Sequence, residues 1–181
     1  IDTFAQYFKN IPSLGTLLVN GKDKNTEEAV KIYHPVARYQ IIKYNLKRNN
    51  WKMKIPGEFN RLNAEAAWQA AKVLGVTKPV AQKAIAGYSG SWRRMEELVP
   101  KRYSESLSRG YHFFSDYAHH PTEIKATISA LKEKFPKKKL SVIFQPHQLE
   151  RLNNLFEDFV TAFDQCDRLI LLPAYQVVGR E

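Results

Sequence analysis

Asp116 to Glu123 read DYAHHPTE, and Phe144 to His147 read FQPH. Both segments follow an apolar run rich in β-branched or aromatic residues, and both precede an amphipathic helical stretch. That layout puts titratable groups at the carboxyl ends of strands, where open α/β sheets bind their ligands. Asp116 and His119 come from the first loop, and His147 with Arg151 from the second. Imidazoles, a carboxylate and a guanidinium from separate loops could pair charge, orient a substrate and move protons near neutral pH.

Other chemistries use the same residue types. A histidine before Pro121 can simply cap or orient a strand-to-helix turn. His112, His119, His120 and His147 could ligate a metal, but their spacing fits no common zinc pattern, and no metal site is expected. No GxSxG elbow follows a strand, so Ser-His-Asp catalysis is not indicated; GYSG at Gly87 to Gly90 follows a helix and reads as a loop. Arg93 and Arg94 suit phosphate or ribose recognition through their forked donors, and equally suit a surface pairing with Glu96 and Glu97. The chain contains no GxxxxGK[ST] phosphate loop.

The elements that must hold these loops are clearest in the last third. Tyr111 to Ser115, Leu140 to Phe144 and Leu169 to Leu172 read as strands. Thr122 to Phe135 and Leu152 to Phe163 read as helices, with Ile124, Ile128, Leu131 and Phe135 on one inward face and Leu155, Phe156, Phe159 and Phe163 on the other. Strand and helix in alternation predict a parallel sheet, with three strand tips on one edge. Those tips deliver Asp116 and His119, then Gln145, His147 and Arg151, then Tyr175. Earlier, Asp2 to Asn10 suits a short helix with Asp2 as N-cap, and Thr16 to Val19 a strand ending at Asn20. Residues 21 to 58 show only strand-like pieces, at Tyr39 to Tyr44 and Trp51 to Ile55. Asn60 to Leu74 is an alanine-rich helix closed by Gly75, and Pro79 to Ala86 a shorter one. The polar, non-periodic stretch Leu98 to Arg109 is the expected domain boundary.

Composition bounds the class. The chain has 181 residues, 44% of them hydrophobic and 12% aromatic, which is enough for one ordinary domain or two small ones. A net charge of +10 favours anionic partners. Part of that charge is solvated lysine, at Lys132 to Lys139 and Lys43 to Lys54. No basic amphipathic helix, membrane-length apolar run or secretory leader is present, so neither a membrane nor export is expected. The single cysteine, Cys166, excludes an internal disulfide and fits a reducing compartment. A basic nucleic-acid module would need exposed aromatic and basic stacking surfaces, whereas most aromatics here follow core periodicity.

In order, the chain reads PGEFNRLNAEAAWQAAKVLGV, GYSGSWRRMEEL, DYAHHPTEIKATISALKEKFP, FQPHQLERLNNLFEDF and DRLILLPAYQVVGRE. This series resembles the Mur ligases, whose counterparts are PGxHNxxN, FxGxxRRFE, DYxHHPTEI, FQPHxxxR and a last strand running to a tyrosine. The early stretch FKNIPSLGTLLVNGKD also resembles the family's central domain just past its nucleotide loop. Most of the chain is covered, and DYAHHPTEI with FQPH is the specific part.

The resemblance implies an α/β protein: residues 1–98 as part of a central ATPase-type domain, and 99–181 as an incomplete Rossmann-like C-terminal domain with a mainly parallel sheet. It implies a cytoplasmic, ATP- and magnesium-dependent ligase of peptidoglycan precursor synthesis. Within the family it points to the branch that joins L-alanine to UDP-N-acetylmuramate through an acyl phosphate. A muropeptide-recycling ligase is the alternative. Residue by residue, Asn60 matches the asparagine that reads adenine, Arg94 the arginine near the ribose, and Asp116 the aspartate that contacts the nucleotide. Tyr117, His119, His147 and Arg151 match positions around the amino acid and the transferred phosphate, with His119, His147 and Arg151 as the catalytic set. Phe59 stands where the family usually has histidine. Gln148 stands where an arginine usually follows QPH, which bears on how the amino acid's carboxylate is held. With no phosphate loop and few magnesium ligands, these 181 residues alone are expected neither to hydrolyse ATP nor to ligate.

Overall fold

A computed structural model of the chain describes residues 1–33, 39–46, 50–98 and 110–175. By contacts the chain forms two compact units, one of residues 1–54 with 59–88 and one of 55–58 with 89–181. The stretch 89–98 groups by contacts with the second unit. Most of the expected boundary segment, 99–109, lies outside the described residues.

The first unit begins with helix α1 (Asp2–Tyr7), N-capped by Ile1 rather than by Asp2, which instead occupies the first turn. Strand β1 (Thr16–Asn20), helix α2 (Lys24–Tyr33) and strand β2 (Gln40–Tyr44) follow, with β1 and β2 parallel in the register Thr16↔Gln40. Helix α2 does not show in the sequence pattern, where polar residues dilute its apolar stripe. It forms because Ala29 and Val30 complete a core with Ala5, Phe8 and Val19. Helix α3 (Glu58–Val73) ends in paired backbone bonds, Gly75 N–H to Lys72 C=O and Val76 N–H to Ala71 C=O. Gly75 sits there at φ 80°, a conformation glycine adopts without Cβ strain. With α4 (Lys78–Gly87), α3 buries Trp51, Ala64, Trp68 and Ala81. Trp51 to Ile55 form no strand: the Trp51 indole N–H donates 2.9 Å to the buried Glu65 carboxylate, which seats this segment against α3 by a side-chain bond.

The second unit holds β3 (Glu96–Leu98), β4 (Phe113–Ser115), α5 (Pro121–Lys134), β5 (Ser141–Phe144), α6 (Leu149–Asn154), α7 (Phe156–Val160) and β6 (Arg168–Leu171). Strands β5 and β6 are parallel, Ser141↔Arg168 to Phe144↔Leu171. The expected three-stranded parallel arrangement needs correction. Among the described residues β4 pairs with β3, antiparallel, from Glu96↔Ser115 to Leu98↔Phe113. The short EEL segment has no strand periodicity, yet its backbone donors and acceptors pair regardless of side chain. The helix expected over Leu152 to Phe163 is broken at Leu155 (φ −119°, ψ 26°) into α6, α7 and a 3₁₀ turn at Thr161–Phe163. The core is as expected in part: Ile124 and Ile128 of α5 meet Phe159, Ala162 and Phe163, with Ala118, Phe144, Leu152 and Leu155 packed around them, whereas Phe156, expected inward, is exposed because the break at Leu155 rotates the following turn. Each buried isoleucine or phenylalanine here contributes about 1.5–3 kcal/mol, so this cluster seats α5 against β5. Among the described residues, no helix is long and apolar enough to cross a membrane.

Candidate active site

Two loops emerge over that core, one carrying Ala118 and the other running from Phe144 to Leu152. The first is built on Asp116, just past β4. One carboxylate oxygen accepts the Ala118 N–H at 2.7 Å, and the other accepts the Met95 N–H at 2.8 Å from a segment 21 residues earlier. Residues 91–96 are thereby fastened to the tip of β4. Two more bonds secure them: Arg93 N–H to the Glu96 carboxylate (2.9 Å), and Tyr117 N–H to the Arg93 carbonyl (2.8 Å). Arg93 and Met95 sit at φ 52° and 48°, sparsely populated for residues with a Cβ. Such backbone persists when its surroundings over-determine it, and here they do.

Helix α5 starts from this loop. His120 is its N-cap, and His120 Nδ1 accepts the Thr122 N–H at 3.2 Å. Pro121 follows, at a position where a missing N–H does no harm. Glu123, three residues after the cap, reaches back to accept the His119 N–H at 3.1 Å, as in a capping box. The same carboxylate lies 3.3 Å from His119 Nδ1 and 3.5 Å from an Arg94 nitrogen. Burial opposes ionisation of Glu123, but the His119 and His120 amides, the His119 ring and Arg94 outweigh it and hold the carboxyl below its usual range. His119 Nδ1 is also 2.9 Å from the Tyr117 carbonyl, which can only accept, so that bond needs the proton on Nδ1. The Tyr117 and His119 rings are 5.1 Å apart.

The second loop follows β5. Gln145 donates 3.2 Å to the Pro173 carbonyl, and Tyr175 N–H donates 2.8 Å to the Pro146 carbonyl. This continues the β5–β6 ladder to a bridge between His147 and Tyr175, whose rings stack at 5.5 Å and 13°. Gln148 turns the chain at φ 66° into α6. In the first turn of that helix, Arg151 Nη1 is buried with no hydrogen-bond partner among the described residues. A buried cationic donor without an acceptor is costly, so the position is complementary to an anion.

The structure thus brings Arg94, Asp116, Tyr117 and His119 into one cluster, and His147, Gln148 and Arg151 into another on the same unit. Asn60 is buried at 8% exposure on α3, in the first unit. Glu123 belongs beside these residues and is absent from the set expected from sequence, whereas Tyr175 is expected at the third strand tip without a role. The capping-box spacing from His120 was the available signal for Glu123, and the end of the third strand for Tyr175. Among the described residues, no three His, Cys, Asp or Glu side chains converge as metal ligands. These residues fit the anionic groups of a nucleotide or a carboxylate rather than a magnesium cage.

Residues 93–180 match the family model described as Mur ligase, glutamate ligase domain. The chain belongs to the Mur ligase family. It is therefore a member of a family of ATP-dependent ligases of peptidoglycan synthesis. A UDP-N-acetylmuramate–L-alanine ligase of Hydrogenovibrio crunogenus is 32% identical over 197 residues, covering 96% of this chain and 42% of the relative. A relative of the same description from Methylococcus capsulatus is 36% identical over 139 residues, covering 77% of this chain and 29% of its own length. The chain thus spans less than half of the curated relatives it matches. Among solved structures, the UDP-N-acetylmuramate–alanine ligase of Thermotoga maritima superposes with a TM-score of 0.63 at 20% identity, covering 94% of this chain and 48% of that one. The α/β fold with parallel strand pairs is that of these ligases.

Proposed function

We propose that this chain forms part of a ligase that adds an amino acid, L-alanine, to UDP-N-acetylmuramate in the cytoplasm, at the expense of ATP. In the reaction, phosphoryl transfer to the muramoyl carboxylate gives an acyl phosphate. The amine then attacks its carbonyl carbon, a tetrahedral adduct collapses, and phosphate leaves as the amide forms. Such a reaction needs the amine placed beside the carbonyl and the phosphate charge neutralised. Arg151 and His147 serve the second need and the amino acid's carboxylate, with Gln148 lining the same turn. Tyr117 and His119 flank the amino acid. Arg94 and Asp116 face the nucleotide, and Asn60, on residues 1–98 as the part of the central domain, reads its base. Magnesium, when bound, would supply further neutralisation of the phosphate charge.

The observation that carries this reading is Arg151 Nη1, buried without a hydrogen-bond partner among the described residues, four positions after a histidine stacked on Tyr175. A buried cationic donor in the helix that follows the QPH loop supports an anion site there. Calorimetric titration of the chain with L-alanine, glycine, L-serine and ATP tests it directly. L-alanine is expected to bind tightest of the three amino acids, and Arg151→Ala to abolish that binding. In a complete ligase carrying these residues, His147→Ala is expected to lower turnover at least about tenfold more than His112→Ala, a difference of about 1.4 kcal/mol. Equal losses would sink the role given to the QPH loop.

A further inference from the structure

Of the chain's three tryptophans, Trp51 and Trp68 are buried at 5% and 8% exposure, and Trp92 is 79% exposed. An indole left in water forgoes most of its packing, and this one is carried on a turn held by several hydrogen bonds. Asp116, Glu96 and the Tyr117 amide hold the turn from three sides, with Arg93 and Met95 on either side of Arg94 in the left-handed region. The Arg93 guanidinium lies 5.6 Å from the Trp92 ring and 4.9 Å from the Tyr117 ring. Tyr117, 45% exposed, continues to His119. Trp92, Arg93, Tyr117 and His119 therefore form a continuous run of flat groups on the surface, preset rather than assembled on demand.

We propose that Trp92, backed by Arg93, is a stacking platform for the base of a purine nucleotide, whose phosphates meet Arg93 and Arg94. Stacking on an open indole selects a large planar ring, and the paired arginines beside it select a ring that carries negative charge. An uncharged aromatic side chain of a protein partner would satisfy the indole but bring no negative charge to Arg93, and none beyond that of Glu123 to Arg94. The proposal rests on the nucleotide side of the function above and adds a residue that stacks on the face of the ring.

Tryptophan fluorescence of the whole chain tests it, because the two buried indoles give a constant background. ATP is expected to quench the Trp92 emission, while inorganic triphosphate and ribose 5-phosphate are not. Trp92→Leu is expected to weaken ATP binding, read by equilibrium dialysis, by about 5- to 150-fold, the range for loss of one base stack. Trp92→Phe should recover most of it. Unchanged far-ultraviolet circular dichroism establishes that the leucine variant is folded. Equal ATP affinity in wild type and Trp92→Leu overturns the platform and leaves the nucleotide reading standing. Inorganic triphosphate binding as tightly as ATP overturns the platform in the same way. No ATP binding to the unsubstituted chain at millimolar nucleotide overturns the platform and the nucleotide role of this chain together.

Discussion

Asp116→Asn should loosen residues 92–96 without any ligand present. The half-buried Asp116 carboxylate accepts two amides, from Met95 at 2.8 Å and Ala118 at 2.7 Å. Hydrogen bonds to a charged group contribute about 1.5–3 kcal/mol each. Asparagine keeps one acceptor oxygen and presents an NH₂ to the other amide, so one of the two bonds is lost. The nearer Ala118 bond spans two residues and survives, and the Met95 bond, across 21 residues, is released. Release also lets Met95 leave its left-handed backbone, which offsets about 1 kcal/mol of the loss, while Arg93 stays held by Glu96 and the Tyr117 amide. The expected result is a small global destabilisation, about 1–2 kcal/mol, with a larger local one. Amide hydrogen exchange reads the difference: Met95 should exchange roughly 10- to 150-fold faster, following the 1.5–3 kcal/mol range, while Ile128 in the core follows only the global change. Met95 exchange within about twofold of wild type would refute the idea that Asp116 fastens this turn.

Acid should destabilise the second unit. Glu97 is held below its usual range by His112 and then Lys134, and Glu123 is held low by the His119 and His120 amides, the His119 ring and Arg94 despite burial. A carboxyl with a depressed folded pKa stabilises above its unfolded value, here 4.5, and that stability fades as pH falls through the folded value. Denaturant midpoints measured downward from neutral pH should therefore fall below about pH 4.5, and fall less in Glu123→Gln; an identical slope in that variant would count against the assignment. In the core, Ile128→Ala should cost about 2–5 kcal/mol, because Ile128 is 3% exposed among Phe159, Ala162 and Phe163. Ile143→Ala should cost little, since Ile143 is 66% exposed. Comparable losses in the two would contradict the packing of α5.

Much of the fold was legible in local pattern. The 3.6-residue spacing of Ile124 and Ile128 marks α5, the alanine-rich run closed by Gly75 marks α3, and the apolar runs around Ile143 and Ile170 mark the parallel pair β5 and β6. Both polar loops were therefore placed correctly at strand ends, because strand, turn and helix signals lie within a few residues of one another. Helix α2 and strand β3 were not legible. Helix α2 needs Phe8 and Val19 before its short apolar face has anything to pack on. Strand β3 is defined by bonds to β4, not by its own side chains.

The chemistry divides along the same line. Residue types alone determine that imidazoles, carboxylates and guanidinium groups lie at the tips of neighbouring elements, and motif order alone identifies the family. Only the tertiary structure decides which of them touch. It turns Asp116 into the fastener of a turn 21 residues away, makes Glu123 the shared partner of His119 and Arg94, sets Tyr175 on His147, and buries Arg151 Nη1 without an acceptor among the described residues. The reason is the reach of the interactions. Periodicity records which face of one element is apolar, whereas a hydrogen bond or ring stack between distant segments depends on how the backbone of each is placed by the core they share.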